Sequence, residues 1–419
     1  MATAERVDAG ESGDPAPGSQ VMGLLLIAGT MNVAWDLVTP FVPLFVLMLE
    51  GGDTRSAAFW SGIAVGISPL FTAIAGPFWG AMAERLGGRT SMLRTIATSS
   101  VLVALMSLTT AVWQLVGLRV LVGALGGFYV LIHVLAARAS PRDRVGQTIG
   151  SLQAINMACL AVVPPIAGYF VDLWGLRSNF LLGSAIMILA FVMMYRLRIG
   201  AGPGEEGRHA GPRESYWKML ASGDVLVIAS VVFASQFVDR AFMALAPLLV
   251  FDLVGESDQV GLLTGTVLGL SAGSTAVAAM AVGRLSRRYP PRRLLIGALM
   301  CGLAILPLLA GAQTVWTLLA MRVVFGLLAG GALTLAYAWA GALISPERLS
   351  ACFSAFASTA MVASAIGPVS LGISAGGSLR APLYVGVGLI LVSLVAVLRK
   401  RDTEAPVAPQ AVASRSGAS

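Results

Sequence analysis

A chain of 419 residues that is 57% hydrophobic and only 12% charged is too apolar for a soluble domain, where about a quarter of residues carry charge. The basic balance, 28 Lys and Arg against 21 Asp and Glu, reads as loops set by membrane topology rather than as a surface for nucleic acid, and no nucleic-acid partner is expected. Cys159, Cys301 and Cys352 stand in no paired spacing, so neither a disulfide framework nor a metal site is expected, and no cofactor.

The first 20 residues hold Glu5, Asp8, Glu11 and Asp14 but only Arg6, which is not the basic start of a secretory signal. Residues 1–20 are expected to be a disordered cytoplasmic tail. Apolar windows follow at 21–49, 58–83, 95–111, 113–137, 147–171 and 178–195. A polar break over 199–222, with Gly200, Pro203, Glu205, Glu206 and Pro212, predicts a cytoplasmic linker. Six more windows lie at 225–251, 259–283, 294–311, 314–342, 350–374 and 381–398. Each is near the length of about 20 residues that a helix needs to cross a bilayer. The expected fold is therefore an all-α membrane protein of twelve transmembrane helices. They form two pseudo-symmetric six-helix bundles, 21–198 and 223–399, around a central cavity, followed by a second cytoplasmic tail at 400–419.

Among the loops and tails, every Lys and Arg except Arg55, Arg177 and Arg380 falls on the side that carries the N-terminus. Basic loops stay in the cytoplasm, so a multi-pass protein of the cell (inner) membrane with both termini cytoplasmic is expected. The bilayer is its surroundings, and a monomer is the expected state.

A shift of 203 residues brings the two halves into register. Leu118-Arg119 through Gly123 falls on Met321-Arg322 through Gly326, Trp113 on Trp316, and Gly62, Gly66 and Ser68 on Gly265, Gly269 and Ser271. Gly80 falls on Gly283, Pro165 on Pro368 and Asp36 on Asp239. One fold is thus used twice, and the interface between the copies is the expected substrate site.

The spans hold few charges: Asp36, Arg119, Asp239, Arg240 and Arg322. A charge at the bilayer centre costs about 2.5–3.5 kcal/mol on insertion scales, so each is a functional candidate. Counted at about 1.5 Å per residue from opposite faces, Asp36 and Arg119 reach the same depth. The expectation is an Asp36–Arg119 contact between the first and fourth spans, repeated by Asp239 and Arg322. Asp36, Arg119 and Asp239 are the expected proton-coupling residues. Asn32, Trp35, Gln153, Asn156, Gln236, Arg240 and Arg322 are expected to line the substrate cavity.

Gly80-Ala-Met-Ala-Glu84-Arg85-Leu-Gly87-Gly88-Arg89 resembles the major facilitator loop signature G-x-x-x-D-R-x-G-R-R, with Glu84 for its Asp and Gly88 for the first closing basic residue. The second half has Arg287 at the acidic position. Arg119 followed by Gly123, Gly126 and Gly127 resembles the fourth-helix motif, and Pro164-Pro165-Ile-Ala-Gly168 a degraded fifth-helix antiporter motif. Phe59-Trp60-Ser61-Gly62 through Pro77-Phe78-Trp79-Gly80 is similar to MdtG-type drug:proton antiporters of that superfamily. The resemblance implies a cytoplasmic gate at Gly80, Glu84, Arg85, Gly87 and Arg89, in which the acid contacts the start of the eleventh helix. It also implies a secondary active transporter that exports small amphipathic or drug-like molecules by proton antiport with alternating access. Its partners are then a small-molecule substrate and protons. Proton-coupled uptake of a nutrient or metabolite, and a non-transporting receptor or scaffold, are the alternatives. No Gly-Lys-Ser/Thr phosphate loop and no nucleophile motif occurs, so neither ATP as the energy source nor an enzyme is expected.

Overall fold

The computed structural model describes residues 17–197 and 223–400, apart from 142, 345 and 375–377. Most of the expected tails and the whole expected linker lie outside the described residues. The first span comprises α1 (Pro17–Val38), a 3-10 turn (Thr39–Phe41) and α2 (Val42–Leu49). Pro40 and Pro43 lack the N–H that would continue the helical ladder, which is why the helix tightens there. Next come α3 (Thr54–Leu86) and α4 (Gly88–Ser107), joined through Gly87, whose φ of 83° suits glycine.

The fourth span is two helices, α5 (Val112–Leu125) and α6 (Phe128–Ala139), where the apolar pattern had suggested one. Gly126 and Gly127 break it, and side chains from α3 take up carbonyls freed near the break. Trp79 Nε1 donates to Ala124 O at 2.5 Å and Thr72 Oγ1 to Gly123 O at 3.3 Å. In a bilayer interior such carbonyls have no water to turn to. Helix α7 (Val145–Arg196) carries the fifth and sixth spans, turning at Gly175.

The second half repeats this order. It comprises α8 (Gly223–Val254), α9 (Val260–Leu285), α10 (Pro291–Ala310), α11 (Val315–Ala329), α12 (Ala332–Leu343), α13 (Pro346–Ser374) and α14 (Ala381–Arg399). Its tenth span is again broken, between Ala329 and Ala332. Eleven of the described segments are long and apolar enough to cross a membrane. Helix α8 is the remaining span; its 32 residues include Asp224, Asp239, Arg240 and Asp252.

The repeat holds at the level of side-chain contacts. Arg177 donates to Ser107 O and Thr109 O, both at 3.0 Å; Arg380 donates to Ala310 O at 3.0 Å and Ala312 O at 2.8 Å. Arg89 donates to Tyr195 O at 2.6 Å, and Arg292 to Val397 O at 3.1 Å and Lys400 O at 2.5 Å. In each case a guanidinium satisfies carbonyls at a helix end, where the ladder leaves them open. Trp113 and Trp316 stand 69% exposed at matching positions, as aromatic anchors at a membrane boundary do.

The halves meet chiefly through two helix pairs, α3 with α13 and α7 with α9. Both contacts are tight at the membrane face away from the chain termini. A Cβ on Gly62 would lie 2.5 Å from Pro368 O, and one on Gly265 2.0 Å from Pro164 O, so only glycine fits. Toward the terminal face Gly76, Gly150 and Gly283 meet open space instead. The molecule is therefore closed at one face and parted toward the other.

Candidate functional site

Between the halves lies a cavity of about 260 Å³, lined by Pro40, Met157, Leu160 and Pro164 of the first half and by residues of α8 through α12 and Ile390 of α14 in the second. Its walls are largely apolar, with scattered hydroxyls at Ser235, Thr275 and Thr334 and one charged place. There Asp239 and Arg240 of α8 and Arg322 of α11 come together with Gln236 and Ser271.

Arg322 is only 3% exposed, and its surroundings hold it from several directions. Nε donates to Ser271 Oγ at 2.7 Å, and Nη2 to Asp239 Oδ1 at 2.6 Å. The guanidinium carbon lies 4.3 Å from the Phe242 ring centre and 5.0 Å from that of Phe325, within cation–π range. This is the contact expected from the repeat. Breaking it by removing one partner would leave a buried charge uncompensated, which typically costs about 3–5 kcal/mol.

The first half does not form the matching pair. Arg119, also 3% exposed, donates from Nε to Ala64 O at 2.9 Å, and its own carbonyl accepts from Ser68 Oγ at 2.6 Å. Among the described residues no ion pair joins it to Asp36. The depth estimate placed the two at one level but could not fix side-chain direction, and the α3 backbone offered the nearer acceptor. Asp36 is half-buried on α1, and the charged side chain that acts on it is Arg240, across the interface between the halves. Tyr129 belongs to the same cluster: it feels both Asp36 and Arg240, and its hydroxyl donates to Asn32 Oδ1 at 3.1 Å. Asn32 and Asp36 are four residues apart and so share a helix face. Arg240 itself is exposed, and its one described hydrogen bond is to Met243 Sδ at 3.9 Å.

Of the other expected cavity residues, Gln236 is a wall. Trp35 and Asn156 are half-buried and Gln153 is exposed, and none of the three borders the enclosed volume. At the expected gate, Gly80 and Glu84 fall within α3, and the Glu84 side chain lies outside the described residues. Arg85 and Gly87 are exposed, and Arg89 secures the end of the sixth span within its own half.

Sequence reasoning missed the strongest contact at the closed face. Asp172, near the end of the fifth span, accepts hydrogen bonds from Gly261 N and Leu262 N, each at 2.7 Å. A carboxylate on the first N–H groups of a helix is favoured by both the open donors and the helix dipole. This one ties α7 of one half to the start of α9 in the other. The signal was present: an acid one turn past Gly168, opposite a span whose second residue is Gly261.

Two repeats of six helices around a cavity lined by buried charge define a polytopic membrane transporter, not an enzyme. The chain belongs to the Major Facilitator Superfamily, whose profile matches residues 24–310 and 228–417. The chain is 29% identical over 370 residues to the multidrug resistance protein MdtG of Klebsiella pneumoniae, covering 87% of this chain and 89% of that protein. It is 27% identical over 378 residues to the MdtG of Citrobacter koseri, covering 89% and 93%. In fold it is similar to a crystal structure of a single-site mutant of the nucleoside transporter NupG, with a TM-score of 0.74 at 9% identity over 90% of this chain and 99% of that one. It is also similar to a bacterial homologue of the human lysosomal transporter Spinster in an inward-facing, unoccupied conformation. There the TM-score is 0.71 at 13% identity, over 91% and 96% of the two chains.

Proposed function

We propose that the protein exports small amphipathic or drug-like molecules in exchange for protons, by alternating access of the cavity between its halves. The observation that carries this reading is Asp36. It is a carboxylate inside the membrane, at the junction of the halves, with no ion-pair partner among the described residues. A lone charge there is costly, and taking up a proton removes that cost. The similarity to multidrug resistance proteins supports the drug-like substrate.

The terminal face, where the basic loops gather, is the cytoplasmic one. The closed face is then external, and the cavity opens inward, as an exporter's does when it loads. The Glu84 loop closes the cytoplasmic side in the opposite state, and the Asp172 contact opens as it does so. Arg119 enters the cycle in that state, when the movement of α3 frees it from Ala64 O toward Asp36.

Inside-out vesicles with an acidic lumen and a pH-sensitive dye test the proposal. Norfloxacin, ethidium and chloramphenicol serve as trial substrates. The native protein is expected to release lumenal protons when a substrate is added, and Asp36→Asn is expected not to. Equal release by both would remove Asp36 from the mechanism. Release by neither would leave proton-coupled uptake as the better reading.

A further inference from the structure

The second-half charge cluster gives the cavity a chemical preference. Asp239 is bound through one oxygen only, Oδ1, by Arg322. Its side chain remains 40% exposed on the cavity wall, and Oδ2 makes no hydrogen bond or ion pair among the described residues. Arg322 has no freedom to swing away, since Ser271, Asp239 and two aromatic rings hold it. The rings belong to the second half alone, because Phe242 and Phe325 face Thr39 and Val122 at the matching positions of the repeat. The first half kept the Arg and the Asp but did not build the pair.

We propose that Asp239 is the polar anchor of the substrate and takes an uncharged hydrogen-bond donor, a hydroxyl or an amide N–H, carried on an apolar body. This deepens the export reading and rests on it. The carboxylate's charge is already met by Arg322 at 2.6 Å, and Arg240 adds a second cation to the same wall. An organic cation approaching Oδ2 therefore meets no net negative charge, and a neutral donor needs none. An acceptor with no donor finds no open N–H on this pair, because the one unpartnered nitrogen of Arg322, Nη1, is fully buried. The apolar remainder packs on Met157, Leu160 and Met243, adaptable walls suited to bodies of varied shape. Arg322 is the positioning residue: it aims Oδ2 and cancels the charge that would otherwise attract cations.

Equilibrium binding to the purified full-length protein in lipid nanodiscs tests this with three probes. Chloramphenicol is uncharged and offers two hydroxyls and an amide N–H, its N-methyl 1,3-diacetyl derivative has all three capped, and tetraphenylphosphonium is a cation with no donor. Native protein is expected to bind chloramphenicol at least tenfold more tightly than either of the others. Asp239→Ala is expected to lose that preference. Arg322→Gln is expected to reverse it, with tetraphenylphosphonium gaining at least tenfold, an outcome that loss of packing alone does not produce. Thermal unfolding of each variant separates lost binding from lost fold. Equal or tighter cation binding by the native protein, an unchanged preference in Asp239→Ala, or no cation gain in a folded Arg322→Gln would each overturn the proposal. No proton step enters this assay, so a failure here leaves the Asp36 vesicle result standing, and a failure there leaves this one.

Discussion

Arg119 and Arg322 occupy matching places in the repeat and are equally buried, yet they solve the same problem differently. Arg322 has a carboxylate and a hydroxyl; the Arg119 guanidinium has a backbone carbonyl, and the matching serine, Ser68, donates to Arg119's own backbone oxygen. A hydrogen bond to a charged group contributes about 1.5–3 kcal/mol. Arg119→Gln is expected to lower stability by roughly that amount, seen as a lower midpoint in thermal unfolding of the detergent-solubilised protein. Ser68→Ala, which removes a neutral bond, is expected to cost only about 1 kcal/mol. The charged residues themselves were legible as candidates, because a charge among apolar spans stands out in any reading. Their partners were not. Whether Arg119 turns toward Asp36 or toward Ala64 depends on which atoms a neighbouring helix presents, and depth along a helix says nothing about that.

At the scale of helices, closure rests on two glycine-lined pairs and one carboxylate cap. The α7–α9 pair brings backbone against backbone, and Asp172 then bonds two N–H groups that α9 leaves open. Loss of such a cap costs about 0.5–2 kcal/mol, a shift of roughly 2- to 30-fold in the balance between closed and open states. Asp172→Ala is expected to move the population toward the state open at that face. Spin labels on exposed Leu173 and Glu256 check it by pulsed electron resonance: a longer distance population should grow in the variant, and an unchanged distribution would make the contact incidental. The helices were legible from their apolar windows, and the Pro40–Pro43 kink from the chemistry of proline. The breaks in the fourth and tenth spans were not, since Gly126-Gly127 reads equally well as a packing surface. What opens the helix there is the availability of Trp79 and Thr72 to take up its carbonyls.

Across the whole molecule, the asymmetry of Lys and Arg predicts that the terminal face is cytoplasmic. In a background with Cys159, Cys301 and Cys352 replaced by serine, single cysteines at Ser257 and Arg55 are expected to react with a membrane-impermeant maleimide added to intact cells. Cysteines at Arg89 and Arg288 are expected to react only after permeabilisation. The reverse pattern would invert the direction assigned to the cavity and to any proton flow.

The sequence by itself determined that the protein lives in a bilayer, how many times it crosses, that it is one fold used twice, and which few charges are buried in it. These follow from composition, period and repetition, which act locally along the chain. Only the tertiary structure decided that the repeat forms its ion pair at Asp239 and, among the described residues, none at Asp36, that Asp172 closes one face, and that the cavity's polarity is concentrated in the second half. Those depend on a hydrogen bond's short reach. At 2.6–2.9 Å, a small rotation between packed helices decides which of two suitable atoms is met.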